Sequence, residues 1–190
     1  LTLTNGSSED KKLSVFSYVE WCLWNADDDM KNFQRNLSTG EVEVQDSTIY
    51  HKTEYRERRN HYAIYSVNTK IDGFDTSRDA FLGAYRGADS PEAVENGKCT
   101  NSMASGWSPI ASHQINVDLA AGETKTFIFV LGYIENPEDE KWESYGVINK
   151  TRAKEMLAKY QTDAQVDEAF AALQAYWKQL LARYTVDSAD

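Results

Sequence analysis

Apolar and polar residues alternate along the first two thirds of this chain and recur every three or four positions near its end. Leu13, Val15, Val19, Trp21 and Leu23 occupy alternate positions and share one face of an extended segment, while Phe16, Tyr18 and Trp24 share the other. With apolar side chains on both faces, this segment reads as a strand covered by two layers. Further strands are predicted at Leu1–Thr4, Glu41–Val44, Thr48–Lys52, His61–Val67, Ala111–Leu119 and Lys125–Ile134. The last two flank Ala120-Ala121-Gly122-Glu123, a short Gly-containing connection that predicts an antiparallel hairpin. Ser77–Ala84 reads as a helical turn among the loops.

The period changes beyond Asn136, and Asn136-Pro137-Glu138-Asp139-Glu140 marks the boundary between the halves. Thr162 and Gln165 have the spacing of a capping box, in which a hydroxyl and an amide satisfy free N–H groups at a helix start. Val166, Phe170, Leu173, Trp177, Leu180, Leu181 and Tyr184 then form one apolar stripe at steps of three and four. A shorter helix is predicted over Val147–Tyr160. Both helices need a surface to cover, because such stripes are stable chiefly through tertiary packing.

Charge narrows the partners. Thirty acidic against twenty basic residues give a net charge of −10, which argues against a nucleic acid held by its phosphates. No apolar run approaches the roughly 18 residues that a membrane span requires. Two cysteines, Cys22 and Cys99, fit neither metal-ligand spacing nor a dense disulfide framework, and read as free thiols in a reduced cytoplasm.

Three constellations bear on chemistry. Asp27-Asp28-Asp29 offers adjacent carboxylates, but adjacent side chains diverge and no EF-hand spacing follows, so a solvated acidic loop is the expectation, with no metal. The stretch from Tyr50 to His61 gathers two of the three histidines with Lys52, Arg56, Arg58 and Arg59; it suits either an anion or an ion network with the interspersed Glu54 and Glu57, the network being favoured. His113 has no serine or cysteine motif nearby, so a hydrolase triad lacks support.

The strings Phe16-Ser17-Tyr18-Val19-Glu20-Trp21-Cys22-Leu23-Trp24-Asn25-Ala26, Asn32-Phe33-Gln34-Arg35-Asn36, Ile49-Tyr50-His51-Lys52-Thr53-Glu54-Tyr55-Arg56-Glu57-Arg58-Arg59-Asn60-His61, Gly73-Phe74-Asp75 and Gly106-Trp107-Ser108-Pro109-Ile110-Ala111-Ser112-His113 resemble bacterial cellobiose phosphorylases, and Glu140-Lys141-Trp142-Glu143-Ser144 continues the likeness. The resemblance implies a mainly β chain with C-terminal helices: an antiparallel β-sandwich (supersandwich) segment, residues 1–135, followed by an α-helical linker, residues 136–190. It implies further that earlier sandwich strands and a catalytic α/α-barrel lie elsewhere, so that this chain alone carries no catalytic residue and is inactive.

In that family cellobiose and inorganic phosphate are interconverted with glucose and α-glucose 1-phosphate, with inversion at the anomeric carbon. Phosphate is the co-substrate and no cofactor or metal is implied. Because phosphate already carries negative charge, one general acid suffices. The resemblance also implies a homodimer in which a loop matching Asn25–Asn36 reaches the partner subunit's sugar site. Gln34 and Arg35, with Asn32 as a weaker candidate, are then the substrate-binding residues for a β-linked disaccharide, since an amide and a guanidinium present several directed polar groups to sugar hydroxyls. The competing expectation for Arg35 is an ion pair with Asp27, Asp28 or Asp29; for Trp21 and Trp24, core packing is favoured. Two other readings of the whole chain stand beside this one: a free-standing carbohydrate-binding β-sandwich, and a purely structural dimerisation segment.

Overall fold

The computed structural model describes residues 1–21, 40–53, 60–106 and 109–184. Its centre is a four-stranded antiparallel sheet in the order β10-β6-β5-β4, built from β4 (Gly40–Gln45), β5 (Thr48–Thr53), β6 (His61–Val67) and β10 (Phe129–Glu135). Strand β6 is buried along its whole length because alternate residues enter different cores. Tyr62 and Ile64 pack with Tyr50, Ile134, Ile148, Ala153 and Leu157 on one face; Ala63 and Tyr65 pack with Trp21, Ile49 and Ala111 on the other.

A second sheet covers that other face. Its axis is β8 (Pro109–Leu119), flanked on one side by β2 (Lys11–Phe16) and β3 (Val19–Glu20) and paired also with β7 (Gly73–Ser77). The single strand expected across Leu13–Leu23 is interrupted at Ser17 and Tyr18, although Phe16↔Gln114 and Val19↔Ala111 keep one register. The cause is local: Ser17 Oγ accepts the His113 N–H at 3.0 Å, a hydrogen bond that a ladder carbonyl would otherwise receive. Residues Lys11–Ser14 are exposed, so the expected double covering holds only for the end of the segment near Trp21, which is buried.

The expected hairpin between Ala111–Leu119 and Lys125–Ile134 is not formed. After the turn at Gly122, whose φ of 76° favours glycine, β9 (Thr124–Thr126) pairs with β1 (Thr2–Thr4) instead of returning along β8. Asn5 diverts the chain: its Nδ2 donates to the carbonyls of Leu119 at 3.1 Å and Ala120 at 3.0 Å, and its backbone bonds Glu123 and Gly122. The expected strand Lys125–Ile134 is then broken at Phe127 and Ile128, where Asn68 Oδ1 accepts the Ile128 N–H at 2.9 Å and the chain crosses to the other sheet. There β10 pairs with β6. Val67, Ile115, Val117, Leu119 and Phe127 fill the space below this crossing.

Short helices α1 (Arg78–Leu82), within the expected turn, and α2 (Glu92–Glu95) close a separate cluster of Phe81, Leu82, Ala93, Cys99 and Ile110. Past Asn136, β11 (Trp142–Ser144) pairs with β12 (Val147–Ile148), and α3 covers Thr151–Leu157 before a 3-10 turn at Ala158–Tyr160. The helix expected from Val147 therefore starts four residues late, because Glu43 on β4 accepts the Ile148 N–H at 3.0 Å and draws that residue into the β12 pairing. Helix α4, Asp163–Leu181, begins at the expected capping box: Gln165 N–H donates to Thr162 Oγ1 at 3.3 Å, and Thr162 N–H to Gln165 Oε1 at 3.0 Å. Its stripe of Phe170, Leu173, Trp177 and Leu181 is exposed.

Candidate functional site

The residues expected to bind sugar, Asn32, Gln34 and Arg35, lie outside the described residues, as do Trp24, Asp27, Asp28 and Asp29. The structure does define where the segment 22–39 is rooted. Gly40 pairs with Thr53 in the β4–β5 register, and Lys52 pairs with Tyr62 in β5–β6, one step before His61 faces Glu135 of β10. One end of the sheet thus gathers the roots of the segments 22–39 and 54–59. A backbone bridge between Glu41 and Ser105 brings the approach to residues 107–108 to the same place.

Trp21, the last described residue before that segment, is 5% exposed and stacks on His51 with ring centroids 5.5 Å apart. Core packing is therefore its role. Burial pushes the His51 imidazole down to about 4, against a smaller opposing effect of the Glu41 backbone, and a ring that stays neutral near pH 7 does not attract an anion. The two histidines of the basic stretch part company here: His61 hydrogen-bonds Tyr133 Oη and lies 3.6 Å from the Glu135 carboxylate, at the rim of a polar cleft that also includes Asn60, Asn136 and Arg152.

The strongest electrostatic feature among the described residues at this sheet end is an ion network. Lys52 Nζ lies 2.9 Å from Glu41 Oε2 and 3.2 Å from Glu43 Oε1, and donates to the Gly146 carbonyl at 2.7 Å. Glu43 also accepts Lys150 Nζ and the Ile148 N–H, and Lys150 donates to the Ile148 carbonyl at 3.2 Å. Burial works to raise the Glu43 carboxyl, but the hydrogen bonds from Lys150, Ile148 and Lys52 outweigh it and hold it below its ordinary value. Burial likewise works to lower Lys52, and the two glutamates prevail and raise it. An ion network was the favoured reading of this stretch; for Lys52 the acidic partners are Glu41 and Glu43, while Glu54 and Glu57 lie outside the described residues. The sequence signal was the Glu-Val-Glu alternation at 41–43 facing a lysine across a two-residue turn, which is readable once the hairpin register is assigned.

His113 takes a structural part. Its Nδ1 is 3.3 Å from Ser17 Oγ, its ring packs against those of Tyr65 and Phe129, and its Nε2 is buried without a partner among the described residues. No carboxylate completes a triad with these two groups among the described residues. No group of His, Cys, Asp and Glu suited to a metal ion occurs among them, and no helix among them is long and apolar enough to cross a membrane.

These features define an antiparallel sandwich domain whose polar sheet end carries long connecting segments. Residues 1–163 match the family model of the glycosyl hydrolase 94 supersandwich domain, and the chain belongs to that family. It is similar to the N,N'-diacetylchitobiose phosphorylase of Vibrio furnissii, 29% identical over 98% of this chain and 22% of that protein. It is also similar to the solabiose phosphorylase of Paenibacillus borealis, 25% identical over 92% of this chain and 21% of that protein. The cyclic beta-(1,2)-glucan synthase NdvB of Rhizobium meliloti is 26% identical over 100% of this chain and 6% of its own length. The chain thus spans about a fifth of the length of the phosphorylases it matches.

Proposed function

We propose that this chain is the supersandwich portion of a longer inverting glycoside phosphorylase acting on a β-linked disaccharide with inorganic phosphate. In this reading residues 1–135 form the sandwich portion and 136–190 a helical linker toward a catalytic domain, which supplies the general acid. Phosphate attacks the anomeric carbon as the glycosidic oxygen takes a proton, giving an α-sugar 1-phosphate and a free sugar. No cofactor participates, and a reduced cytoplasm suits the buried free thiol of Cys99.

The observation that carries the reading is the family match over residues 1–163, joined to relatives named as phosphorylases. Cellobiose is the disaccharide that the sequence resemblance implies, whereas the relatives are named for N,N'-diacetylchitobiose and solabiose. The full-length protein should therefore be assayed for sugar 1-phosphate release from each disaccharide with phosphate. Release from none of them would refute the reading, and binding of cello-oligosaccharides by the 190-residue chain alone would favour the free-standing carbohydrate-binding module.

Within a homodimer, Gln34 and Arg35, with Asn32 beside them, contact the sugar bound to the partner subunit. Arg35→Ala should lower kcat/KM roughly 10–150-fold, the equivalent of one charge-assisted hydrogen bond. Mixing Arg35→Ala subunits with subunits lacking the catalytic acid leaves one site of the mixed dimer intact, so activity should reappear. Absence of recovery would show that Arg35 acts in its own subunit or not at all.

A further inference from the structure

We propose that the polar cleft at the end of β6 and β10 is a carbohydrate site that takes one neutral sugar ring, held between Glu135 on β10 and Arg152 on α3. It depends neither on Gln34 and Arg35 nor on the phosphorylase reading.

The cleft has a volume of about 710 Å³, within the range of small-molecule sites. Glu135 is the cross-strand partner of His61, and Tyr133 precedes it by two residues on the same face of β10. His61, 8% exposed, hydrogen-bonds the Tyr133 hydroxyl and so fixes the phenol, while Tyr133 itself stays 44% exposed. Asn136, which also lines the cleft, is buried and held by its own bonds: its N–H donates to the Asn60 carbonyl at 3.1 Å and its Nδ2 to the Asn149 carbonyl at 3.0 Å. The framework around the open groups is therefore set before any ligand arrives.

Two groups of the cleft stand side by side with bonding capacity unused. Arg152 Nη1 donates to the Glu135 carbonyl at 2.9 Å, and its guanidinium has no other hydrogen-bond partner among the described residues. The Glu135 carboxylate, 64% exposed, has among them only His61 Nε2 at 3.6 Å, too far for a hydrogen bond. A guanidinium only donates and a carboxylate only accepts, so neighbouring hydroxyls, which do both, are the ligand groups that satisfy the pair. Charge disfavours the alternatives. Phosphate or sulfate would meet Glu135 and Glu138 beside a single guanidinium, and a metal ion would meet that guanidinium. The apolar C–H face of a sugar ring also suits the exposed Tyr133 ring, a contact that an open-chain polyol does not make.

The test is an NMR titration of the isotope-labelled 190-residue chain with methyl β-glucoside. The amides of Glu135, Asn136 and Arg152 should shift along one saturating curve with a Kd on the order of 1–10 mM, weak because the ligand has few atoms. Glu135→Ala, at an exposed side chain, and Arg152→Met should each raise Kd about fivefold or more, while Arg35→Ala should leave it unchanged. Glycerol should bind about tenfold more weakly than the glucoside, and cellotetraose within about threefold of it, since one ring occupies the Glu135, Arg152 and Tyr133 groups. Should Arg152→Met perturb α3, Glu135→Ala decides alone. Shifts that are absent or do not saturate, binding kept in Glu135→Ala but lost in Arg35→Ala, or glycerol bound as well as the glucoside would each overturn the proposal. Affinity that climbs about tenfold or more with chain length would overturn it too, and would mark the extended surface of a free-standing module.

Discussion

The imidazole of His113 stacks on the ring of Tyr65 with centroids 4.9 Å apart and planes 19° from parallel, deep between the two sheets. Burial pushes His113 down to about 4, as it does His51. Between pH 6.5 and 4 the unfolded chain binds a proton at each ring that the folded state refuses, so stability rises with pH across that window. It is fully present above about pH 6.5 and lost as pH falls toward 4, on the order of 3 kcal/mol for each ring. Urea denaturation at pH 7.5, 6 and 4.5 should show the midpoint falling stepwise. His113→Phe, which keeps a ring in the stack, should flatten that dependence; equal midpoints at pH 7.5 and 4.5 would contradict the assignment of both rings as neutral.

Asp75 is fully buried on β7 and organises the segment after Cys99. It accepts the Thr100 and Ser102 N–H groups at 3.1 and 3.0 Å and their hydroxyls at 2.6 and 2.7 Å. Asp75→Asn places an NH₂ group among donors, and the unmet bonds should cost about 2–4 kcal/mol. A chemical-denaturation midpoint indistinguishable from the parent's would show that the segment finds other partners.

The capping box supports only the start of α4. Thr162→Ala should lower stability by about 1 kcal/mol and speed hydrogen exchange at the amides of residues 163–166, with little change in β6. Protection unaltered at those amides would mean that packing, not the cap, holds the first turn.

Phe170 and Leu181 on α4 are 67% and 65% exposed, and an apolar stripe of that extent promotes association. The 190-residue chain should self-associate in sedimentation velocity at micromolar concentration, and Phe170→Glu with Trp177→Lys should shift it toward monomer. A parent chain that already sediments as a monomer would show the stripe to be harmless in water.

Local features of this fold were legible where the residues that decide them are neighbours. His61–Val67 has the same bounds in sequence and structure, and the Thr162–Gln165 cap stands where its spacing placed it. The failures occur where a distant side chain decides. Asn5 and Asn68 redirect Leu119–Ile134, Glu43 unwinds the start of the helix expected at Val147, and Gly73–Ser77, absent from the expected strands, is a strand whose buried Asp75 and Thr76 are satisfied by Thr100 and Ser102. Of the candidate site, Asn32, Gln34 and Arg35 came through family likeness and not through periodicity. Lys52 was visible as part of a basic stretch, but its partners belong to the neighbouring strand.

Cys99 gives the fold an internal clock. Its thiol is 2% exposed among Phe81, Leu82, Ala93 and Ile110, and burial, reinforced by the negative charge of Asp75, pushes it up to about 12. Only a thiolate attacks a disulfide reagent, so in a Cys22→Ser background the labelling rate of Cys99 reports how often this corner opens.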